Sequence, residues 1–193
     1  MPIEPETYPN SNVFINKLDI RDPRILNEAE ASLTWARTEA YRNNPSSGSF
    51  DLEHLRLIHR TLFQDLYTWA GELRSHDTRK GICEFTPAKQ IAHYSRKIYD
   101  ALAEENYLQK LNREEFIHRL AYYYDMTNRL HPFPEGNGRK QRLFIEHLAT
   151  LSGYSINWAL VHQWEIGATA ERSFQGDKEP LFRMFERIIS ADA

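Results

Sequence analysis

Apolar residues recur every three or four positions along most of this 193-residue chain, which is the spacing of a helix with one buried face. The first such stretch follows Asp22-Pro23, an N-cap residue and a first-turn proline, and reaches Asn43. Comparable stretches predict further helices from Asp51 to near Gly71, from Thr86-Pro87, from Asn112, from the loop at Gly136 through Leu151, near 157–172 and near 178–190. The pattern therefore indicates an all-α bundle of about seven helices.

One segment, residues 72–86, lacks the helical spacing. Lys80-Gly81 stands near its middle, where a tight hairpin could turn, so this is the only segment for which we predict β structure. Residues 1–20 carry three prolines and several Asn and Ser residues, which favours an extended arm on the surface. The length suits one domain, and we predict a single domain over 1–193 with a small hairpin at 72–86.

Composition removes several classes of function. The 24 basic and 27 acidic residues give a net charge of -3, and no run of Lys or Arg is present to follow a nucleic-acid backbone. No stretch approaches the ~18 apolar residues of a membrane span, and residues 1–12 lack the layout of a secretory signal. We therefore expect a cytoplasmic protein without a direct nucleic-acid or membrane partner. Cys83 is the only cysteine, which excludes an internal disulfide or a Cys-x-x-Cys metal pair.

The stretch from His131 to Arg142, His-Pro-Phe-Pro-Glu-Gly-Asn-Gly-Arg-Lys-Gln-Arg, carries more polar function than packing needs. Gly136 and Gly138 let the backbone approach a ligand, and the N–H groups and dipole of the helix that begins there favour an anion. Arg139 and Arg142 are three residues apart, so both can reach neighbouring phosphates from one helix face. The stretch therefore predicts a polyphosphate site.

Two further side chains of this stretch supply reactive groups. Glu135 is a carboxylate beside the expected phosphates, where it can hold Mg²⁺, a hard cation that arrives with the substrate. His131 can accept a proton near neutral pH. Together these residue types are suited to phosphoryl or nucleotidyl transfer.

This stretch resembles the His-x-Phe-x-Asp/Glu-Gly-Asn-Gly-Arg-x-x-Arg signature of the Fic (filamentation induced by cAMP) family at every position. Two flanking segments extend the resemblance. Tyr67-x-Trp-Ala-Gly71, followed by Lys80-Gly81 and Phe85, looks like the active-site flap of the family, and 153–158 resembles the stretch after its motif. The resemblance covers roughly residues 12–190 and implies a Fic-type helical bundle with one small β-hairpin flap.

The resemblance implies a protein adenylyltransferase that moves AMP from ATP to a Ser, Thr or Tyr hydroxyl of a target protein and releases diphosphate. His131 would be the general base, and Glu135 would hold Mg²⁺. The backbone of 136–138 would form the anion hole, and Asn137 would help to fix the α-phosphate. Arg139 and Arg142 would engage the β- and γ-phosphates. Lys80 and Gly81 on the flap would lie near the nucleotide, and the target would dock on the flap as an added strand.

Two other functions use the same residues. The chain could remove AMP from a target, or it could be a regulatory module that binds a nucleotide without catalysis. The intact Gly-Asn-Gly-Arg element, 136–139, favours AMP transfer over transfer of phosphate or phosphocholine within the family.

Fic proteins are commonly restrained by a helix bearing Ser/Thr-x-x-x-Glu-Gly/Asn, whose glutamate pairs with the second arginine of the motif, Arg142 here. Glu105-Asn106 and Glu135-Gly136 are the two Glu-Gly/Asn pairs in the chain, and neither has Ser or Thr four residues earlier. The chain therefore resembles the toxin of a toxin–antitoxin pair. We expect a small helical antitoxin that supplies the glutamate in trans, with restraint by the N-terminal arm or by self-association as the alternative.

Overall fold

The computed structural model describes residues 2–45 and 48–191. Within them the chain forms seven α-helices and two small antiparallel sheets. The helices are α1 (Pro23–Asn43), α2 (Leu52–Phe63), α3 (Ile91–Glu104), α4 (Arg113–Leu130), α5 (Asn137–Leu151), α6 (Gln163–Phe174) and α7 (Glu179–Ile188). The strands are β1 (Arg79–Lys80), β2 (Cys83–Glu84), β3 (Tyr154–Ile156) and β4 (Ile189–Ala191). The all-α prediction is confirmed.

The predicted starts of α1, α2 and α4 coincide with side-chain caps. Asp22 accepts hydrogen bonds from the N–H groups of Arg24 and Ile25, so α1 begins at the proline that follows it. Asp51 accepts from His54 at the start of α2 in the same way. Each cap satisfies N–H groups that have no partner inside the helix.

Helix α4 lies at the centre of the bundle and packs against α3, α5, α6 and α7. Most of its apolar side chains from Phe116 to Leu130 are buried, so it is hydrophobic on more than one face. Helices α1 and α2 pack against each other, and α2 also packs against α5. Because α4 ends where the loop to α5 begins, the loop is fixed at both ends by core helices.

Several sequence predictions need correction. Helix α2 ends at Phe63, and the segment to Gly71 forms turns. The flap pairs only Arg79–Lys80 with Cys83–Glu84. A second sheet, β3 with β4, is also present, with the register Ser155↔Ser190. The sequence indicated one hairpin alone, because the strands of this second sheet lie 35 residues apart. Helix α7 ends at Ile188 because β4 begins at the next residue, and α6 begins at Gln163 and not near 157 because a short 3₁₀ helix, Trp158–Leu160, precedes it.

The N-terminal segment lies against the body of the domain. Ile3 forms a β-bridge with Arg74, and Thr7 forms one with Phe14, whose ring contacts Trp69 edge-on. In the part of the chain that the structure describes, no helix combines the length and the apolar character needed to cross a bilayer.

Candidate functional site

A cavity of ≈ 1150 Å³ opens where the α4–α5 loop meets α1, α6 and the flap. It brings together all nine residues that the sequence predicts for the site. These are Lys80, Gly81, His131, Glu135, Gly136, Asn137, Gly138, Arg139 and Arg142. Trp35 and Trp164, which are 68% and 72% exposed, stand on the α1 and α6 walls.

His131 caps the C-terminus of α4 in the left-handed conformation, with φ 42° and ψ 59°. This backbone turns the chain out of the helix and towards the cavity. The imidazole stacks on the flap residue Phe85, with ring centroids 3.7 Å apart and planes inclined by 11°. Burial, followed by the charges of Lys140 and Arg74, lowers the pKa of His131 to about 3. The ring is therefore neutral at pH 7 and can accept a proton.

The loop from 132 to 136 is closed by the side chain of Asn137. Its Oδ1 accepts from the Phe133 N–H at 3.1 Å, and its Nδ2 donates to the Phe133 carbonyl at 2.7 Å. Both polar atoms of the Asn137 side chain are therefore hydrogen-bonded within the loop. The main-chain N–H groups in the first turn of α5 have no intrahelical partner and are positioned for an anion.

Gly136 caps α5 with φ +74°. A Cβ atom added there would lie 2.3 Å from Cζ of Phe63. Both the backbone angle and this close approach require glycine. The start of α5 therefore packs directly against the aromatic core at Phe63.

Arg139 faces α1, where its guanidinium forms an ion pair with Glu30 and a 3.4 Å hydrogen bond to Thr34. Glu30 is only 7% exposed and also accepts a 2.6 Å hydrogen bond from the Tyr67 hydroxyl. The guanidinium carbon lies 4.8 Å from the ring centroid of Phe63. Arg139 is thus oriented by a carboxylate and a ring that the motif does not contain.

Arg142 differs from Arg139 in its partners. It makes no ion pair within residues 2–45 and 48–191. Its Nη1 lies close to Gly138, 3.6 Å from where an added Cβ atom would stand. Burial lowers the pKa of Arg142, and the like charge of Arg139 acts in the same direction. An arginine stays charged in spite of such a shift. Arg142 is therefore a cation beside the first turn of α5.

Glu135 is exposed at the end of the loop. Its Oε1 accepts from the Gly136 N–H at 2.8 Å. Its backbone carbonyl lies 3.0 Å from Nε2 of His59, a fully buried side chain. Because Nδ1 of His59 accepts from the Gly71 N–H at 2.8 Å, Nε2 carries the proton and donates to Glu135. Burial lowers the pKa of His59 to about 3, so this ring is neutral.

The loop also rests on a stack of side chains. The His59 ring lies 4.0 Å from the ring of Phe133, and the ammonium of Lys140 lies 5.3 Å from the centroid of the Phe133 ring. Lys140 is fully buried, and burial lowers its pKa to about 7. Phe133 is therefore the apolar anchor that holds the loop on the core.

Sequence reasoning missed Glu30 and His59 as parts of the site, and it named Tyr67 only within the segment that resembles the flap, not as a partner of Glu30. Glu30 reads as one acid of a helix that carries several, and His59 as one of eight scattered histidines. One signal was available, since Glu30 and Thr34 are four residues apart and share a helix face. Their contact with Arg139 spans more than 100 residues and follows only from the packing of α1 against the site.

These features define a helical domain in which a loop leads into the N-terminus of α5, with two arginines and a neutral imidazole beside it. The sequence model of the Fic/DOC family matches residues 49–149. The chain is 37% identical to protein adenylyltransferase VbhT of Bartonella schoenbuchensis over 187 residues, covering 97% of this chain and 39% of that protein. It is 34% identical to the probable protein adenylyltransferase Fic of Escherichia coli, of which it covers 92%. The chain belongs to the Fic/DOC family.

Solved structures share the fold. BepC of Bartonella tribocorum, with bound AMPPNP, superposes with a TM-score of 0.92 at 25% identity over 96% of both chains. The N-terminal Fic domain of a Bartonella quintana effector, with bound ADP, also gives 0.92, at 30% identity over 96% of this chain and 94% of that one. The chain thus has the fold of Fic domains that hold adenine nucleotides.

Proposed function

We propose that this chain is a protein adenylyltransferase that transfers AMP from ATP to a hydroxyl of a target protein. The observation that carries the proposal is the convergence of a neutral His131, the free N–H groups of α5 and two arginines on one cavity. The relatives named as protein adenylyltransferases and the adenine nucleotides in the neighbouring structures support it. We expect the reaction in the cytoplasm, where ATP is available.

In the proposed reaction the target hydroxyl gives its proton to Nε2 of His131, since Nδ1 is buried, while its oxygen bonds to the α-phosphorus of ATP. The bond from the α-phosphorus to the bridging oxygen breaks, and diphosphate leaves. The N–H groups of 137 and 138 would stabilise the charge on the α-phosphate, since that of Gly136 donates to Glu135, and Arg139 and Arg142 would hold the β- and γ-phosphates. Positioning and charge stabilisation would supply most of the rate.

The residues of the cavity fit Mg²⁺ that arrives with ATP. Mg²⁺ takes oxygen ligands and is commonly bound by one or two carboxylates together with phosphate oxygens and water. Glu135 offers an exposed carboxylate whose Oε2 makes no hydrogen bond to the described residues. Glu135 would therefore hold the ion, which when bound would neutralise charge on the phosphates.

Incubating a cell lysate with the protein and ATP labelled at either the α- or the γ-phosphate tests the activity. The proposal expects protein-bound label from α-labelled ATP alone, a mass increase of one AMP on Ser, Thr or Tyr, and loss of both on chelation of Mg²⁺. Label from the γ-position would instead indicate phosphate transfer. ATP binding without any label would favour the regulatory module, and release of AMP from a modified target would favour the reverse reaction.

We propose that the target docks on the flap edge. The Phe85 N–H donates to the Thr78 carbonyl, so residues 78 and 85 form a hydrogen-bonded pair of the hairpin. The next two facing residues, Arg79 and Glu84, form a pair without hydrogen bonds between them. Because such pairs alternate in an antiparallel ladder, the N–H groups of Arg79 and Glu84 point outward. Either can pair with an added strand.

Arg79→Pro and Glu84→Pro each remove one outward N–H without removing a hydrogen bond of the hairpin. We expect the substitution on the docking edge to lower kcat/KM for the target roughly 3- to 10-fold, since a hydrogen bond contributes about 0.5–1.5 kcal/mol. The Kd for ATP should not change. Arg79→Ala and Glu84→Ala control for the side chains. Equal effects of Pro and Ala, or no effect at either edge, would contradict strand docking.

Glu30→Gln is expected to lower the Kd for ATP by up to about tenfold, which corresponds to about 1.4 kcal/mol. The substitution removes a buried carboxylate that competes with phosphate for Arg139, and it keeps an acceptor for the Tyr67 hydroxyl. Titration with ATP measures the change. Glu39→Gln, on the same helix, breaks the ion pair with Arg42 and serves as the control. Unchanged or weaker binding of ATP by Glu30→Gln would show that Glu30 does not compete.

We also propose a small helical antitoxin that restrains the chain in trans. Glu30 pairs with Arg139 and not with Arg142, so Arg142 can form an ion pair with a partner's carboxylate. The exposed Trp35 and Trp164 offer apolar contacts at the rim of the cavity. The experiment is to assay the purified protein with and without a co-encoded neighbour. Activity that the neighbour quenches supports the proposal. An inactive chain that becomes active when its N-terminal arm is removed would instead favour internal restraint.

A further inference from the structure

Arg74 is a fully buried arginine that forms no ion pair with the described residues. A buried charge is costly unless its partners are well arranged, and an apolar side chain of similar volume would usually be no less stable. Burial lowers the pKa of Arg74, yet an arginine remains charged. The presence of this cation in the core therefore points to a role in arranging its neighbours.

The hydrogen bonds of Arg74 go to backbone carbonyls. Nε donates to His131 at 2.8 Å, Nη1 to His76 at 2.7 Å, and Nη2 to Thr86 and, at 3.5 Å, to Leu130. The planar fork of the guanidinium can serve these separate acceptors at once, which a lysine could not do. The carbonyls of Leu130 and His131 also stand at the negative end of α4, where a cation is favoured.

These acceptors belong to two parts of the site. His76 precedes the flap strands and Thr86 follows them, so Arg74 holds both ends of the flap. Leu130 and His131 end α4 and begin the catalytic loop. The Arg74 N–H also donates to the Pro132 carbonyl at 3.0 Å. One side chain thus ties the surface proposed for target docking to the proposed base.

We propose that Arg74 is a positioning residue that sets the flap at a fixed distance from the imidazole of His131. The stacking of Phe85 on that imidazole depends on the same arrangement, since Phe85 stands next to Thr86. A target strand paired with the flap would then present its hydroxyl at one place relative to the base. For its catalytic consequence this inference rests on the proposed function.

Arg74→Met and Arg74→Lys test the inference. The methionine leaves the four carbonyls without a donor, and the lysine keeps the charge without the fork. In both we expect faster amide hydrogen exchange in residues 77–85 and in 130–133. We expect kcat for the target to fall by about 10²-fold, the scale of a 1 Å misplacement, with the KM for ATP unchanged.

Phe116→Leu is the matched control for a general loss of stability. Phe116 is buried at the opposite end of α4 and stacks on Tyr154, far along the chain from the flap. The Phe116→Leu substitution should lower Tm without changing amide hydrogen exchange in the flap or kcat for the target. If Arg74→Met does not fold, Arg74→Lys decides the question.

Unchanged exchange of the flap in a folded Arg74 variant would overturn the inference, as would a fall in kcat no larger than that of a control with the same Tm. The exchange measurement needs no catalysis. If the wild-type chain transferred no AMP, the proposed function would fail while the tie between flap and loop would still be tested.

Discussion

His131→Ala is expected to lower the rate of AMP transfer by roughly 10²- to 10⁴-fold, the usual effect of losing a general base. The imidazole is neutral at pH 7 because burial lowers its pKa to about 3, so it is in the form that accepts a proton. ATP binding should remain near that of the wild type, because the proposed phosphate contacts come from α5. Transfer of the α-label and titration with ATP measure the two quantities separately.

His93→Ala is the appropriate control, because His93 is an exposed histidine on α3 outside the cavity. It should leave both quantities unchanged. Wild-type transfer by His131→Ala would show that another group accepts the proton. Loss of ATP binding together with transfer would show that the ring supports the nucleotide site itself.

Gly136→Ala is expected to reduce transfer by at least ~10²-fold, because the start of α5 must move when a Cβ meets Phe63 at 2.3 Å. The left-handed backbone adds a further ~1–2 kcal/mol of destabilisation for an alanine. Unlike His131→Ala, this change should weaken ATP binding, since it displaces the N–H groups that receive the phosphates.

Gly153→Ala separates the two causes. Gly153 has φ +78°, close to that of Gly136, and an added Cβ would meet no atom within 4 Å. It should lose a similar amount of stability from its backbone angle and keep both activity and ATP binding. If Gly136→Ala behaved in the same way as Gly153→Ala, the contact with Phe63 would have no role in shaping the site.

Sequence reasoning located the starts of α1, α2 and α4 because these starts depend on neighbouring residues. Asp22, Asp51 and Asn112 each cap a helix through a side chain two or three residues from the N–H that it accepts. The second sheet was missed because Ile156 and Ile189 pair across 33 residues. Ile189 also continues the helical spacing of α7, so no local signal separates strand from helix there.

The candidate site shows the same division. The motif from His131 to Arg142 is contiguous, so its residues could be selected together. The roles of Glu30, His59 and Arg74 come from tertiary packing, which brings each into contact with a residue of the motif at least 57 positions away in the chain. Nothing in the sequence around Arg74 distinguishes it from a surface arginine.

The walls of the cavity have a consequence for any attempt to shorten the protein. The family model matches residues 49–149, but α1 lies before that segment and α6 after it, and both line the cavity. A fragment limited to 49–149 would contain Arg139 without the glutamate of α1 and His131 without the wall from α6. The segment that defines the family is therefore smaller than the segment that builds the cavity.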